Sequence, residues 1–242
     1  MTEIILLDKS FTPITFIDGF LSANWTRNYT DVGSFQIYLE DKYYEDICKA
    51  EYVYCEDMTE TGIIEKVKVN STDGVVVVQV RFLLALLENW VIINEPEQES
   101  WPANMYLYYL VMINCCMEEY SDRYLELAFP EDVEEAMGGN IKVSARGENL
   151  LQKIVKISLE QQLKCTGRLD YETKQLSFEV TGGIDRSVEQ SENSFVIFSE
   201  DYGNVRKANY ERSSKEYKNY AYVVGEFTDS SNKKTEVLVE VD

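Results

Sequence analysis

The chain has 242 residues, enough for one large β-rich domain or two ordinary ones with a core that needs no disulfide or metal staple. Its 43 acidic and 23 basic residues leave a formal charge of −20, which repels phosphate and argues against general binding of double-stranded nucleic acid. It contains no histidine, which excludes Ser-His-Asp triads, Cys-His pairs and histidine-ligated metals and leaves only carboxylate, Lys, Tyr or Cys chemistry.

Strands are predicted at 3–7, 20–28, 34–39 and 50–56. Residues 63–69 alternate apolar and polar, Asn70-Ser71-Thr72-Asp73-Gly74 turns the chain, and Val75 to Val80 returns as a strand buried on both faces or nearly so. At a free edge so β-prone a run would invite aggregation, so the fold or an assembly must cover it. Arg81 to Glu88 reads as a short buried helix. Ser100 is placed to N-cap a helix with Pro102 in its first turn, running to about Glu119. Between Glu148 and Gln162, Leu150, Ile154 and Ile157 share one helical face, and Leu151, Val155 and Leu159 widen it enough to lie across a sheet. A second hairpin follows, with Cys165, Leu169 and Tyr171 going out, Glu172-Thr173 in the turn, and Leu176, Phe178 and Val180 returning. Further strands are predicted at 194–198, 204–212, 219–227 and 234–241. The fold class expected is α+β, mainly β. From Glu88 to Glu135 there are 12 acids and one base, Arg123, so this stretch reads as a solvated helical excursion or as a face that meets a basic partner.

The residues offer little chemistry. Cys48, Cys55, Cys115, Cys116 and Cys165 include no CxxC pair and read as reduced, mostly buried thiols made in a cytoplasm. The vicinal Cys115-Cys116 pair falls among Met112, Ile113 and Met117 and reads as packing rather than a redox site. Gly138-Gly139 and Gly182-Gly183 match no phosphate-binding motif and read as turns. Asp170, Glu172, Asp185 and Glu200-Asp201 all sit beside predicted turns, where solvated acids are common; a catalytic carboxylate pair remains the one enzymatic alternative. Trp25, Trp90 and Trp101 are far apart in sequence, so core or interface use is favoured over a sugar-stacking platform. No calcium-loop spacing occurs. The start MTEIILLDKS lacks a basic region, and the apolar run Met105 to Met117 falls short of the roughly 18 residues that span a bilayer, so a soluble protein is expected. No catalytic, cofactor-binding or metal-binding residue is assigned, and no cofactor is expected.

Several segments, in their order, carry a resemblance. They are Trp25-Thr26-Arg27-Asn28-Tyr29, Gly33-Ser34-Phe35-Gln36-Ile37-Tyr38-Leu39, Gly62-Ile63-Ile64-Glu65, Arg81-Phe82-Leu83-Leu84-Ala85-Leu86-Leu87 and Gly147-Glu148-Asn149-Leu150-Leu151. After them come Phe178-Glu179-Val180, Asp185-Arg186, Asn204, Tyr210 and Tyr217 to Gly225. Together they resemble the siphophage tail-tip hub family, the ReqiPepy-type minor tail proteins, which are related to contractile-phage baseplate hubs and the N-terminal hub domain of tail-associated lysins. The region 94–135 is similar only in broad character, and members of the family extend beyond the position of Asp242 with a further strand-rich segment.

The resemblance implies two β-barrel-like tube domains with inserted peripheral elements, forming a trimeric ring that continues the tail tube. It implies a structural role at the virion tail tip, with assembly in the bacterial host cytoplasm. The partners implied are the distal tail protein, the tape measure and receptor-binding components, with DNA only passing through the lumen. Residues 1–93 plus 194–242 are expected to make the first tube domain and 136–193, with helix 148–162, the second; 94–135 is expected as a peripheral acidic insertion. Competing readings are a carboxylate-based cell-wall glycan hydrolase and a carbohydrate-binding β-domain. If the ring lines a DNA path, acids outside 94–135 should outnumber bases on its inner wall, since cations there would bind passing phosphates.

Overall fold

A computed structural model describes residues 3–55, 58, 60–70, 72–96, 100–117, 124–130, 135–205, 207, 209–214, 221–228 and 234–241. The chain divides into two compact units, Met1–Ile184 and Asp185–Asp242.

The first unit opens with an antiparallel sheet of seven strands: β1 (Ile4–Leu7), β2 (Pro13–Ile17), β3 (Ser22–Thr26), β4 (Ser34–Glu40), β5 (Tyr52–Cys55), β6 (Gly62–Asn70) and β7 (Val75–Phe82). Their order is β2-β1-β5-β6-β7-β4-β3. Strand β2, which the sequence pattern does not mark, pairs with β1, while β7 lies between β6 and β4, so the valine-rich run is covered within the fold. Val76, Val78 and Val80 are buried on one face, and Val75, Val77 and Gln79 are half-buried on the other.

Chain geometry curls this sheet. Strands β2 and β3 stand at opposite ends of the order, yet only residues 18–21 separate them. Five Cα steps reach about 18 Å at full extension, whereas seven strands laid flat would hold their edges about 28 Å apart. Every pairing is antiparallel, so six steps across the sheet bring β3 back to the direction of β2. The ladder is open between them among the described residues. The inner face carries Ile4, Leu6, Phe35, Ile37, Leu39, Val53, Val76, Val78 and Val80, all buried, and is plugged by Tyr43 and Ile47 from a helical segment, 3-10 at Asp41–Tyr43 and α1 at Tyr44–Ile47. That plug also fixes the β2–β3 connection: the Tyr43 hydroxyl donates to Asp18, and the Thr15 hydroxyl donates to Asp46 at 2.9 Å.

The rest of the first unit packs around a 3-10 stretch, Leu83–Asn89, where the sequence suggests a short helix. Two helices flank it, α2 (Ala103–Cys115) and α3 (Leu150–Gln161). Short strands β8 (Trp101–Pro102) and β10 (Asn140–Ile141) pair with each other. The expected hairpin is β11 (Leu163–Asp170) with β12 (Gln175–Gly182), joined in parallel by β9 (Leu127–Ala128). Helix α3 is capped by the Asn149 side chain, which accepts from the Gln152 amide at 3.2 Å. Its Leu150, Leu151, Ile154 and Ile157 pack with Leu163, Cys165, Phe178 and Val180 of the hairpin and Val155 packs against them, but Leu159, expected to widen the stripe, is exposed.

Helix α2 departs from expectation. It starts after Pro102 without a side-chain cap from Ser100, and it stops at Cys115 rather than near Glu119. It is not peripheral: Leu107, Leu110 and Val111 are fully buried in the same cluster as α3 and the hairpin. The acidity of 88–135 belongs to its flanks, because none of the 13 residues of α2 is charged. Two buried asparagines clasp those flanks. Asn114 accepts from the amides of Ile93 and Asn94 and donates to the carbonyls of Asn94 and Leu110. Asn104 donates to the Glu135 carbonyl and accepts from the Met137 amide.

In the second unit the described strands form one hairpin, β13 (Ala221–Thr228) with β14 (Lys234–Val241), close to two of the predicted strands. The expected strands at 194–198 and 204–212 do not form among the described residues. All seven strands of the first sheet come from residues 4–82, and none from the segment 194–242 that was expected to complete it.

The hairpin meets the 3-10 stretch at Gly167, where an added Cβ would lie 2.9 Å from the Leu84 amide nitrogen and 3.1 Å from the Leu83 carbonyl carbon. Backbone cannot yield as a side-chain tip can. Gly167→Ala should destabilise the protein by about 1–3 kcal/mol, read as a drop in thermal midpoint, whereas Gly19→Ala, with open space around it, should stay within about 0.5 kcal/mol. Equal midpoints for the two variants would show that the close approach is unimportant.

Candidate functional site

The outward face of β3, β4 and β7 is the most distinctive surface of the sheet. Strand alternation sends Phe35, Ile37 and Leu39 inward and leaves Ser34 and Gln36 outward. Register then sets Asn24 beside Gln36 and Gln36 beside Gln79, with Thr26 beside Ser34 and Ser34 beside Arg81. These side chains line a shallow groove of about 300 Å³. Its cation is compensated: Arg81 bonds Glu65 at 3.0 Å and Glu88 at 2.6 Å. Burial works against the charged guanidinium, yet bonding to Glu88 and the charges of both carboxylates raise its pKa above the ordinary value. Glu65 lies at the bulge of β6 between Ile64 and Lys66, two residues from Ile63, which pairs with Arg81. The surface can donate and accept hydrogen bonds through amides and hydroxyls, but its guanidinium is already committed. Alternation in β4 was legible in the sequence; the lateral rows were not, because they depend on which strands are neighbours.

The residues weighed for catalysis are not brought together. Asp170 accepts from the amides of Glu172 and Thr173, and Asp185 from the Ser187 amide; these backbone bonds hold both carboxyls below their ordinary pKa. Both act as turn caps. Glu172, Glu200 and Asp201 are exposed, Glu200 and Asp201 lying in a turn of the second unit. Trp25 stacks on Phe35 with ring centroids 4.0 Å apart, and Trp90 and Trp101 pack against the α2–α3 core, so the three tryptophans are spent on packing in two different cores. Gly138 and Gly139 join the start of α2 to the end of α3, the Gly139 amide donating to the Gln161 side chain at 2.8 Å. Gly182 ends β12 and Gly183 follows it. Among the described residues no group of three or more Cys, Asp and Glu is placed to hold a metal, and no helix is long and apolar enough to cross a membrane.

Four of the five thiols sit in unreactive surroundings. Burial pushes Cys165 up to about 12 and Cys116 up to about 11, and Cys55 and Cys115 are buried. Cys48 alone is exposed. In native protein one thiol should therefore react rapidly with Ellman's reagent, and Cys48→Ser should abolish that phase. A rapid phase that survives the substitution would reveal an activated thiol in the core.

Comparison with known proteins follows the same lines. Residues 3–241 match the family described as Siphovirus ReqiPepy6 Gp37-like protein. No curated protein matches the chain. Among solved structures it is similar to the prophage tail protein gp18 from Listeria monocytogenes EGD-e, at 8% identity and a TM-score of 0.50, over 98% of this chain and 67% of that one. It is also similar to the tail protein from Neisseria meningitidis MC58, at 12% identity and a TM-score of 0.44, over 73% of this chain and 50% of that one. A chain of the Francisella PdpA-VgrG complex shares 9% identity at a TM-score of 0.38, over 97% of this chain and 40% of that one. The chain thus spans about half the length of the Neisseria protein. At such identities these likenesses concern fold alone, whereas the family match covers nearly every residue: the chain belongs to the Siphovirus ReqiPepy6 Gp37-like family.

Proposed function

We propose that this protein is a structural component of a phage or prophage tail tip: a hub that closes or continues the tail tube and connects the distal tail protein to host-recognition or lytic components. The observation that carries the reading is the family match over residues 3–241. The fold shared with the Listeria prophage tail protein supports it. In this reading residues 1–93 supply one tube domain. The same-direction strands β2 and β3, four residues apart, act as halves of one bent strand that brings a six-membered barrel close to closure. Residues 136–193, with α3 against the β11–β12 hairpin, supply the second. Three copies form the ring, and its role is assembly rather than catalysis.

The amide-rich face of β3, β4 and β7 is the surface we assign to the lumen. Each unspent Lys or Arg there would gain affinity for DNA by releasing counterions from the phosphates. The rows across β3, β4 and β7 carry amides and hydroxyls, and Arg81 is held by two carboxylates; beyond Gln79 the same row continues to the exposed Lys66 of β6. The wall so assigned is polar rather than acidic, with Lys66 and Lys68 of β6 as the cations at its margin that a passing duplex would meet.

Particles purified from a strain lacking this gene should have tails without a completed tip and should fail to deliver DNA, and mass spectrometry of complete particles should find the chain at about three copies, since two tube domains per chain then match a six-fold tube. Normal, infectious tails without the chain would overturn the reading. So would turnover of peptidoglycan by the purified protein that disappears on changing one Asp or Glu, which would make it a hydrolase.

A further inference from the structure

Away from the polar face, a cleft of about 500 Å³ opens between the loop 8–12 and the β11–β12 turn. Both walls are preformed. Asp8 accepts from the amides of Ser10 and Thr12, as Asp170 does from Glu172 and Thr173. Each turn then passes through a residue in the left-handed region that is not glycine, Phe11 at φ 56° and Lys174 at φ 59°. The chain has three such residues among those described, and two of them line this one cleft. Such backbone costs about 1 kcal/mol or more at each position and gathers where a site must be held in shape.

The lining has a definite chemistry. The Phe11 and Tyr52 rings meet at 4.7 Å, tilted by 40°, and with Leu176 form an apolar floor. Two lysines line it: Lys9 pairs with Glu51 at 3.3 Å, and the Lys174 ammonium donates to the Thr12 hydroxyl at 3.1 Å, which fixes its position but leaves its charge. The groups left without a protein partner among the described residues are the Tyr52 hydroxyl, the Gln175 amide and the Glu126 carboxylate. With Glu51 offsetting Lys9 and Glu126 offsetting Lys174, the lining carries no net charge and selects for neither an anion nor a cation. Aromatic floor, neutral donors and acceptors, and one carboxylate acceptor suit a molecule with a C–H face and a rim of hydroxyls. We infer that this cleft binds a neutral saccharide, stacked on Phe11 and Tyr52 and hydrogen-bonded by Gln175 and Glu126. The inference does not depend on a place in a tail.

The test is an amide-resolved NMR titration of the full chain with lactose, maltose and di-N-acetylchitobiose, and separately with inorganic phosphate. At least one disaccharide should give saturable shifts at Phe11, Thr173 and Lys174, while phosphate gives none. Phe11→Gly removes the ring while relieving the positive φ, and should weaken binding about tenfold, the order of an aromatic contact. Gln175→Ala, at an exposed position, should weaken it too and serves if the first variant fails to fold. No saturable shift with any disaccharide, a response to phosphate instead, or affinity unchanged in both variants would each overturn the proposal. None of these outcomes bears on whether the protein occurs in tails, which the composition of purified particles decides.

Discussion

The first unit depends on one close approach, that of the β11–β12 hairpin to the 3-10 stretch 83–89. Gly167 has no side chain, so the backbone of Leu83 and Leu84 can lie directly against the hairpin. From that point the hairpin serves two cores. Toward one end, Cys165, Phe178 and Val180 pack with α2 and α3; toward the other, Leu169 and Leu176 pack with Ile5 and Leu7 of the first sheet. The Tyr54 and Tyr171 rings stack across the same boundary at 4.6 Å. A side chain at 167 would press on the backbone of Leu83 and Leu84, between the two cores that the hairpin serves.

A strongly acidic chain must also bury an uncharged helix between acidic segments. The solution is local. Asn104 and Asn114 sit near the ends of α2, both buried, and both spend their amides on backbone of the flanking segments. Glu95 extends the clasp, accepting from the amides of Ala145 and Arg146; those bonds hold its carboxyl below the ordinary range. Among the described acids of the flanks, Glu88, Glu126 and Glu135 are exposed, while backbone near the helix ends is tied to the core. The acidity therefore aids solubility without shaping the interior.

Much of this was legible in the sequence, for identifiable reasons. The 63–80 and 165–180 hairpins were readable because alternation and turn residues coincide, and α3 because its stripe has a helical period. Averaged charge misled: 12 acids over 88–135 concealed a stretch of 13 residues without one, so a core helix was taken for a peripheral one. Strand β2 was hidden because Pro13 and the mixed pattern after it give no clean alternation. The segment Phe195 to Phe198 has β-strand composition, but composition does not supply a partner, and it is exposed here. The polar rows of Asn24, Gln36 and Gln79 join positions up to 55 residues apart that only topology sets side by side.

The central claim is that a curled sheet presents its polar, amide-rich face to a DNA path at the end of a tail tube. The most direct measurement is a reconstruction of the tail tip at side-chain resolution from particles that carry this chain. The account predicts copies of the chain arranged around the tail axis, with Asn24, Gln36 and Gln79 facing the lumen. A chain lying off the axis, or a lumen lined mainly by Lys and Arg, would contradict it.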